Sequence, residues 1–217
     1  MKLNRRHLLS IAAASALAPA LPATAQGAPR VLCFGDSLTA GYGLGADQGL
    51  VPQLSDWLTR ADRPATLLNG GLSGDTTYGG RIRIELAMPR HEPDAVIVEL
   101  GGNDMLRGWT AADAEPNLDA ILTRAGRGGR PLLLVGIQAP KGPDDWRADW
   151  AAMWPRIAAR HGALLLPDLY APLAAVAPDL RGPLLQPDGI HASAEGVRRI
   201  VAELGPVTAQ LIGRLAA

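Results

Sequence analysis

The sequence predicts one α/β domain in which a parallel sheet of about five strands lies between helices on both faces. Short apolar runs alternate with stretches of helical apolar spacing along the chain after residue 25, an order typical of parallel α/β sheets. The run at residues 95–100 is nearly uniformly apolar, as expected of a strand covered on both faces. No linker, internal repeat or low-complexity segment divides residues 26–217, so we expect a single domain there.

The first half of this domain contains three predicted strands. The first covers residues 31–34 and stops at Gly35, where the backbone can turn sharply. Apolar residues at helical spacing then predict a helix over residues 49–61. The second strand covers residues 65–69, and the apolar run at residues 95–100 forms the third.

A further helix is predicted between the second and third strands. Ser73, Asp75 and Thr76 can cap its start with their side-chain oxygens. Pro89 is predicted to end it, because proline interrupts helical hydrogen bonding. The residues expected on its apolar face are Ile82, Leu86 and Met88.

The second half continues the alternation of helices and strands. Glycines at residues 126–129 end one helix, and Ser193 can cap the last helix. The loop over residues 168–187 is predicted to contain only a helical turn or two. The predicted helices cover residues 111–124, 146–160 and 193–215, and the predicted strands cover residues 131–137 and 164–166.

Residues 1–25 are predicted to be an export signal outside the fold. Three basic residues precede an apolar, alanine-rich stretch at residues 8–21, and a small-residue cleavage pattern, Ala-Thr-Ala, follows. Arg5 and Arg6 with their neighbours also resemble a twin-arginine signal, with an ordinary secretory signal as the alternative. The apolar stretch is short for a transmembrane helix and contains proline, so we expect no stable membrane insertion after signal removal. We expect the protein to be periplasmic or secreted.

Composition limits the partners and the chemistry. The chain has 21 basic and 21 acidic side chains, and the predicted signal contains three of the basic ones, so residues 26–217 have a net charge near −3. A mildly acidic body argues against nucleic acid as a partner. Cys33 is the only cysteine, so no internal disulfide can form, and no Cys/His cluster resembles a zinc site. We therefore expect no metal site.

Ser37 is the candidate nucleophile. It lies just past the first predicted strand, and open α/β sheets bind their ligands at the carboxyl ends of strands. A nucleophilic serine needs a base to take its proton and a partner to hold the tautomer of that base. Asp188 and His191, on one short loop late in the chain, can supply both.

Two other loops can supply donors for a developing oxyanion. The loops after the first, second and third strands open on the same edge of a parallel sheet, and they carry Ser37, Gly74 and Asn103. Attack on an ester carbonyl creates a negative oxygen that needs preorganised hydrogen-bond donors. The backbone N–H groups of Ser37 and Gly74 and the side-chain amide of Asn103 can provide three.

Four segments of the chain resemble the ordered sequence blocks of the SGNH (GDSL-type) hydrolases. Each block is weakly specific alone, but the combination spans nearly the whole chain after the predicted signal. The likeness is greatest to the thioesterase I / lysophospholipase L1 / arylesterase branch. The segments are residues 34–38 (Phe-Gly-Asp-Ser-Leu), 73–76 (Ser-Gly-Asp-Thr), 101–104 (Gly-Gly-Asn-Asp) and 188–191 (Asp-Gly-Ile-His).

This resemblance implies a flavodoxin-like three-layer α/β/α fold and hydrolysis of acyl esters or thioesters without a metal or another cofactor. It implies that Ser37 is the nucleophile and becomes acylated, that His191 is the base and that Asp188 orients it. It also implies that Ser37, Gly74 and Asn103 form the oxyanion hole. The expected partner is a small or lipid-like acyl ester.

Three further residues adjoin these segments. Asp36 and Asp104 are expected to brace their loops as hydrogen-bond acceptors rather than to act as acids. Trp109 follows closely behind Asn103, and it is the candidate wall of a substrate pocket.

Two alternatives to an exported esterase stay open. A carbohydrate O-deacetylase would use the same residues, although no aromatic platform for a sugar is obvious in the sequence. A non-catalytic binding protein could use the same scaffold, but the complete set of Ser37, Asn103, Asp188 and His191 argues against it.

Overall fold

The computed structural model describes residues 27–139 and 141–215, and these residues form three layers. The central layer is a parallel sheet of five strands, as predicted. The export signal predicted for residues 1–25 lies outside the described residues. The strands are β1 (Arg30–Gly35), β2 (Thr66–Gly71), β3 (Ala95–Glu99), β4 (Leu132–Val135) and β5 (Leu164–Leu166).

The strand order β2-β1-β3-β4-β5 places β1 between β2 and β3. Gly35, the last residue of β1, is opposite Gly71 of β2 and Glu99 of β3. The carboxyl ends of the three strands therefore meet at one edge of the sheet. In this doubly wound order the chain reverses its direction of travel beside β1, which is where such sheets bind ligands.

Helices cover both faces of the sheet. They are α1 (Ser37–Ala40), α2 (Leu50–Arg60), α3 (Thr77–His91), α4 (Gly102–Leu106), α5 (Ala111–Ala125), α6 (Asp144–Arg160), α7 (Ala171–Ala174) and α8 (Ala194–Gly213). On one face α3, α5 and α6 pack around residues such as Phe34 and Val98, and on the other α2, α7 and α8 pack around residues such as Cys33 and Ile97. Within the described ranges, no helix combines the length and apolarity needed to cross a membrane.

Local capping signals start two helices where the sequence predicts them. The hydroxyl of Thr76 accepts a hydrogen bond from the backbone N–H of Gly79 at 3.1 Å and caps α3. The hydroxyl of Ser193 accepts from Gly196 N–H at 3.2 Å and caps α8. Each cap satisfies a backbone donor that the first turn of a helix leaves free.

The predicted end and apolar face of α3 are wrong in two respects. Pro89 lies inside the helix, which continues to His91. Because Pro89 is only two residues from the end of the helix, it disturbs only the last turn. Ile82 and Leu86 are 59% and 74% exposed. A Cβ at Gly80 would lie 2.4 Å from Leu100 Cδ1, so the small-residue face of α3 approaches the core closely and turns those two side chains outward. Met88 is buried, as predicted.

The short helices α1 and α4 are absent from the predictions. Each begins within three residues of the end of a strand, α1 after β1 and α4 after β3. Helices of four and five residues are too short to show an apolar period in the sequence. They matter because their first turns carry Ser37 and Asn103.

Candidate active site

The end of β1 leads directly into the turn that carries Ser37. Asp36 is the N-cap of α1, and its Oδ1 accepts a hydrogen bond from Leu38 N–H at 3.0 Å. Ser37 is the first residue of that helix and is only 9% exposed. The backbone N–H groups of the first helical turn have no partner within the helix, so the N–H of Ser37 is available to a ligand at the sheet edge.

The predicted base and its partner lie on a tight loop formed by residues 185–192, here called the base loop. Leu185 and Ala192 form an antiparallel bridge that closes it. The Oδ1 atom of Asp188 accepts hydrogen bonds from the backbone N–H groups of Ile190 and His191 at 2.9 and 3.0 Å. The carboxylate is therefore held beside the imidazole by contacts within the loop itself.

The structure brings Ser37, His191 and Asp188 into one line of hydrogen bonds. Nε2 of His191 lies 2.9 Å from Oγ of Ser37, and Nδ1 lies 2.6 Å from Oδ2 of Asp188. The bond from His191, with two backbone donors, lowers the pKa of Asp188 to about 2, so the carboxylate is ionised at neutral pH. An ionised carboxylate fixes the proton on Nδ1, which leaves Nε2 free to accept the Ser37 proton.

Two predicted oxyanion donors come from the neighbouring strand ends. Gly74 adopts a φ of +81°, a left-handed conformation that favours glycine, in the turn where Asp75 N–H donates to Leu72 O at 3.1 Å. Asn103 lies in the first turn of α4, and its Nδ2 donates to Oδ2 of Asp36 at 2.9 Å. One hydrogen of that amide stays available, so the geometry permits donation to a substrate oxygen.

Asp36 and Asp104 brace their loops, as predicted. Asp36 accepts from both Leu38 and Asn103, which joins the ends of β1 and β3. The buried carboxylate of Asp104 accepts from the backbone N–H of Thr77 at 2.9 Å and from its hydroxyl at 2.5 Å. These bonds tie α4 to the start of α3.

The sequence analysis missed Glu99, which lies beneath Asp36 at the end of β3. Its Oε2 accepts from the Thr39 hydroxyl at 2.7 Å and from Asp36 N–H at 3.4 Å, and it is 2% exposed. Among the described residues, its Oε1 has no hydrogen-bond partner. Burial raises the pKa of Glu99 well above its usual range, and burial also raises the pKa of Asp36 to about 6. Burial therefore favours the neutral form of Glu99 over the carboxylate. A lone acidic residue ending an apolar strand is the sequence signal that could have identified it.

Arg83 is a second residue that the sequence analysis missed. Its guanidinium donates to Gly70 O at 2.6 Å and Gly35 O at 3.0 Å, and it pairs with Asp75 at 2.8 Å. It also lies 3.9 Å from the ring centroid of Phe34. One side chain thus joins the ends of β1 and β2 to the turn that carries Gly74. Arginines on amphipathic helices are usually exposed, so the sequence contains no signal for this role.

Trp109 lies against α6 at the end of the loop after α4. Its backbone carbonyl accepts hydrogen bonds from the indole N–H groups of Trp146 and Trp150 at 2.9 and 3.3 Å. Its ring faces the Arg107 guanidinium, 5.8 Å from its centroid. The small cavity beside Ser37 is lined by other residues. The role of Trp109 as a substrate wall stays a prediction.

The cavity beside Ser37 and His191 has a volume of about 20 Å³ and is lined mainly by apolar side chains, including Leu38, Leu50 and Val197. This volume holds one water molecule but no acyl chain. The exposed large hydrophobic side chains at the carboxyl edge of the sheet include Tyr42, Leu72, Leu106 and Ile190.

Metal-ligating side chains do not cluster at this site. Across residues 27–139 and 141–215, no group of three or more His, Cys, Asp or Glu side chains is arranged to hold a metal ion. The chemistry available to these residues is proton transfer, nucleophilic attack by a hydroxyl and stabilisation of a negative oxygen.

Comparison with known proteins supplies independent evidence. Residues 33–199 match the model of the GDSL-like Lipase/Acylhydrolase family. The chain is 32% identical over 187 residues to Esterase TesA from Pseudomonas aeruginosa, covering 85% of this chain and 90% of that protein. It is 31% identical over 173 residues to Thioesterase 1/protease 1/lysophospholipase L1 from Escherichia coli, covering 79% of each. The crystal structure of AlinE4, an SGNH-hydrolase family esterase, matches with a TM-score of 0.68 and 36% identity, covering 85% of this chain and 96% of that one.

Proposed function

The chain belongs to the GDSL-like lipase/acylhydrolase family and is a serine ester hydrolase, and from this premise we propose that it cleaves carboxylic esters through an acyl-enzyme on Ser37. The observation that carries the proposal is the line of hydrogen bonds from Ser37 through His191 to Asp188, with distances of 2.9 and 2.6 Å. This is the arrangement that a serine hydroxyl needs to lose its proton as it attacks.

The first half-reaction forms the acyl-enzyme. Oγ of Ser37 attacks the carbonyl carbon while Nε2 of His191 takes the hydroxyl proton. The carbonyl oxygen becomes negative and accepts hydrogen bonds from the N–H groups of Ser37 and Gly74 and from Asn103. The bond from carbon to the alcohol oxygen or thiol sulfur then breaks, and the leaving group takes the proton from His191.

The second half-reaction releases the acid. A water molecule attacks the acyl carbon, and Nε2 of His191 takes one of its protons. The bond to Oγ of Ser37 breaks, that oxygen recovers the proton, and a carboxylic acid leaves. The ionised carboxylate of Asp188 stabilises the imidazolium that forms in both steps.

The substrates we propose are aryl esters and lipid-like acyl esters, with thioesters included. Relatives of the chain are named as an esterase, as an arylesterase and as a thioesterase, protease and lysophospholipase. Exposed apolar side chains at the catalytic edge, Tyr42 and Leu106 among them, can contact an acyl chain. An open edge of this kind accommodates chains of different lengths better than a closed tunnel does.

We also propose that the enzyme is exported. The basic, apolar and small-residue segments of residues 1–25 carry this proposal. The site of action would then be the periplasm or the medium.

The deciding experiment combines a fluorophosphonate probe with an ester panel. Wild type should be labelled and Ser37→Ala should not, with Ser193→Ala as a labelled control because that hydroxyl caps α8. Ser37→Ala should keep the melting temperature and lose more than about 100-fold in kcat. If Ser37→Ala keeps more than about a hundredth of the wild-type kcat, Ser37 is not the nucleophile. Absence of labelling in wild type would favour a binding protein.

The panel identifies the substrate. It contains p-nitrophenyl esters from acetate to palmitate, palmitoyl-CoA, a lysophospholipid and an acetylated oligosaccharide. We expect turnover of several acyl lengths and little of the sugar ester. Faster deacetylation of the sugar than of any aryl ester would overturn the assignment in favour of a carbohydrate O-deacetylase.

A further inference from the structure

The side chain of Gln186 connects the base loop to the segment that follows the nucleophile helix. Its Nε2 donates to the backbone carbonyl of Tyr42 at 2.8 Å and to that of Ala192 at 3.0 Å. A side-chain amide has two N–H donors, so both carbonyls are bound at once. Tyr42 comes directly after Gly41, the C-cap of α1. One side chain therefore fixes the distance between the two halves of the catalytic site.

The backbone of Gln186 strengthens this arrangement. Its N–H donates to the carbonyl of His191 at 2.8 Å, and its carbonyl accepts from Gly189 N–H at 2.9 Å. The carbonyls of two consecutive residues, His191 and Ala192, are thus both bound by Gln186. Rotation of the backbone that would swing the imidazole away from Ser37 has to break at least one of these bonds.

The glycine at position 43 makes room for the connection. A Cβ built at Gly43 would lie 2.2 Å from Oε1 of Gln186, and the φ of Gly43 is +73°. A side chain there would push the amide away from the Tyr42 carbonyl. The loop after α1 is therefore shaped to receive Gln186.

The ring of Tyr42 lies on the imidazole of His191. The two ring centroids are 4.7 Å apart at an angle of 40°, and Tyr42 is 53% exposed. The electron-rich face of a phenol ring attracts a cation. His191 becomes cationic when it takes the Ser37 proton, so this contact strengthens in the transition state and acts on kcat more than on KM.

The other polar groups around His191 already have defined partners. Asp188 binds Nδ1, and the Ser37 hydroxyl binds Nε2. The hydroxyl of Tyr170 donates to the carbonyl of Ile190 in the base loop at 2.9 Å. Asp36, whose charge also acts on His191, is bound to Asn103. The aromatic contact of the imidazole is with Tyr42.

We propose that Gln186 and Tyr42 are positioning residues for His191: Gln186 holds the base loop at a fixed distance from Ser37, and the ring of Tyr42 stabilises the imidazolium. This inference rests on the proposed role of His191 as the base. It adds two residues that act on the reaction through His191.

The test of Gln186 uses a matched glutamine elsewhere in the chain. Gln186→Met keeps the length of the side chain and removes both donors. Gln53→Met is the control, because Nε2 of Gln53 also joins two carbonyls, those of Gln48 and Ala194, at 2.6 and 3.1 Å. With p-nitrophenyl acetate as substrate, we expect the kcat of Gln186→Met to fall about 10- to 100-fold and its KM to stay within about 2-fold of the wild-type value. A loss of kcat of this size is what a small misplacement of a catalytic group causes. Gln53→Met should stay within about 2-fold of wild type.

Two results would overturn the role of Gln186. One is a folded Gln186→Met protein whose kcat is within about 3-fold of wild type, because a misplaced base would cause a much larger loss of kcat. The other is an equal loss of kcat in both variants, which would indicate a general effect of removing an interloop bond.

The test of Tyr42 does not depend on the folding of the Gln186 variant. Tyr42→Phe keeps the ring, so it should retain most of the kcat that Tyr42→Leu loses. Tyr42→Leu loses the ring, so its kcat should fall and the acid limb of the kcat/KM profile should move to lower pH, because the imidazole then loses its proton more readily. An unmoved acid limb with unchanged kcat in Tyr42→Leu would overturn this role.

Failure of the inference and failure of the proposed function give different results. If Ser37→Ala keeps fluorophosphonate labelling, the triad itself is wrong. If Ser37→Ala loses labelling while Gln186→Met reacts with the probe at the wild-type rate, only the positioning role is wrong.

Discussion

The side-chain amide of Asn103 donates to Oδ2 of Asp36 across 2.9 Å. Asn103 follows β3 and Asp36 follows β1, so this bond joins the carboxyl ends of two adjacent strands. An amide group is planar, and a bond to one of its hydrogens sets the direction of the other. Asp36 therefore sets the direction in which the second N–H of the Asn103 amide points.

Removal of the Asn103 amide should lower turnover and leave ground-state binding nearly intact. We expect Asn103→Ala to lose about 10²- to 10³-fold in kcat with little change in KM, the usual cost of one oxyanion donor. Asn103→Asp should be at least as damaging, because it places an acceptor beside Asp36 and the oxyanion. Kinetics and melting temperature measured together check this, and a lowered melting temperature with near-normal kcat would remove Asn103 from the oxyanion hole.

Substitution of Asp36 should mimic the loss of Asn103 in part. Asp36→Asn has one oxygen where the native carboxylate uses two, one for Leu38 N–H and one for Asn103. We expect kcat to fall about 10-fold or more while the serine still reacts with a fluorophosphonate, since a misdirected donor costs less than a missing one. The double variant with Asn103→Ala should be little worse than Asn103→Ala alone. If the fold-loss of kcat in the double variant equals the product of the fold-losses in the two single variants, the two residues act independently.

The buried acid Glu99 should make stability depend on pH. Its pKa is raised by burial from 4.5, so above about pH 4.5 the unfolded chain releases a proton that the folded chain retains. The free energy of unfolding therefore falls as pH rises from there toward the folded-state pKa. Glu99→Gln does not titrate and keeps an acceptor for Thr39. Its melting temperature should therefore rise relative to that of wild type as the pH increases above about 4.5.

An exposed glutamate provides the control for Glu99. Glu203→Gln on α8 should show no such trend. Thermal melts of the three proteins over this pH range give the answer. A difference in melting temperature between wild type and Glu99→Gln that does not change with pH would contradict a raised pKa of Glu99.

Arg83 should be important for both stability and turnover. Arg83→Met removes donors to Gly35 O and Gly70 O and leaves the mostly buried Asp75 without its ion pair. We expect a loss of about 2–4 kcal/mol in the free energy of unfolding, with a lower kcat because the turn of Gly74 loosens. Adding Asp75→Asn should recover part of the stability. Arg81→Met, two positions earlier on α3, serves as the control in denaturant titrations. Equal losses of unfolding free energy in Arg81→Met and Arg83→Met would contradict a special role of Arg83.

The predicted signal can be tested by fusing residues 1–26 to a reporter. The fusion should be exported, and Arg5→Lys with Arg6→Lys should stop export if the twin-arginine pathway reads this segment. Cell fractionation measures the outcome. Undiminished export of the double variant would assign the segment to the ordinary secretory class.

The elements that the sequence predicted well are those with strong local signals. The capped starts of α3 and α8, at Thr76 and Ser193, are confirmed, since a cap depends on residues three positions apart. The wrong apolar face of α3 has a different origin. Ile82 and Leu86 have helical spacing, but the close approach permitted by Gly80 decided which face turned inward. Such packing depends on the shape of the neighbouring layer rather than on spacing.

The sequence by itself determined the alternation of strands and helices, the placing of Ser37 at a strand end and the pairing of Asp188 with His191 on one loop. All of these depend on residues a few positions apart, whose patterning and hydrogen bonds are encoded locally. Only the tertiary structure decided that His191 meets Ser37 across 154 positions and that Gln186 binds Tyr42 across 144. It also decided that Glu99 is buried beneath Asp36. These contacts follow from the order of the strands and the close packing of the layers around them, which no local pattern specifies.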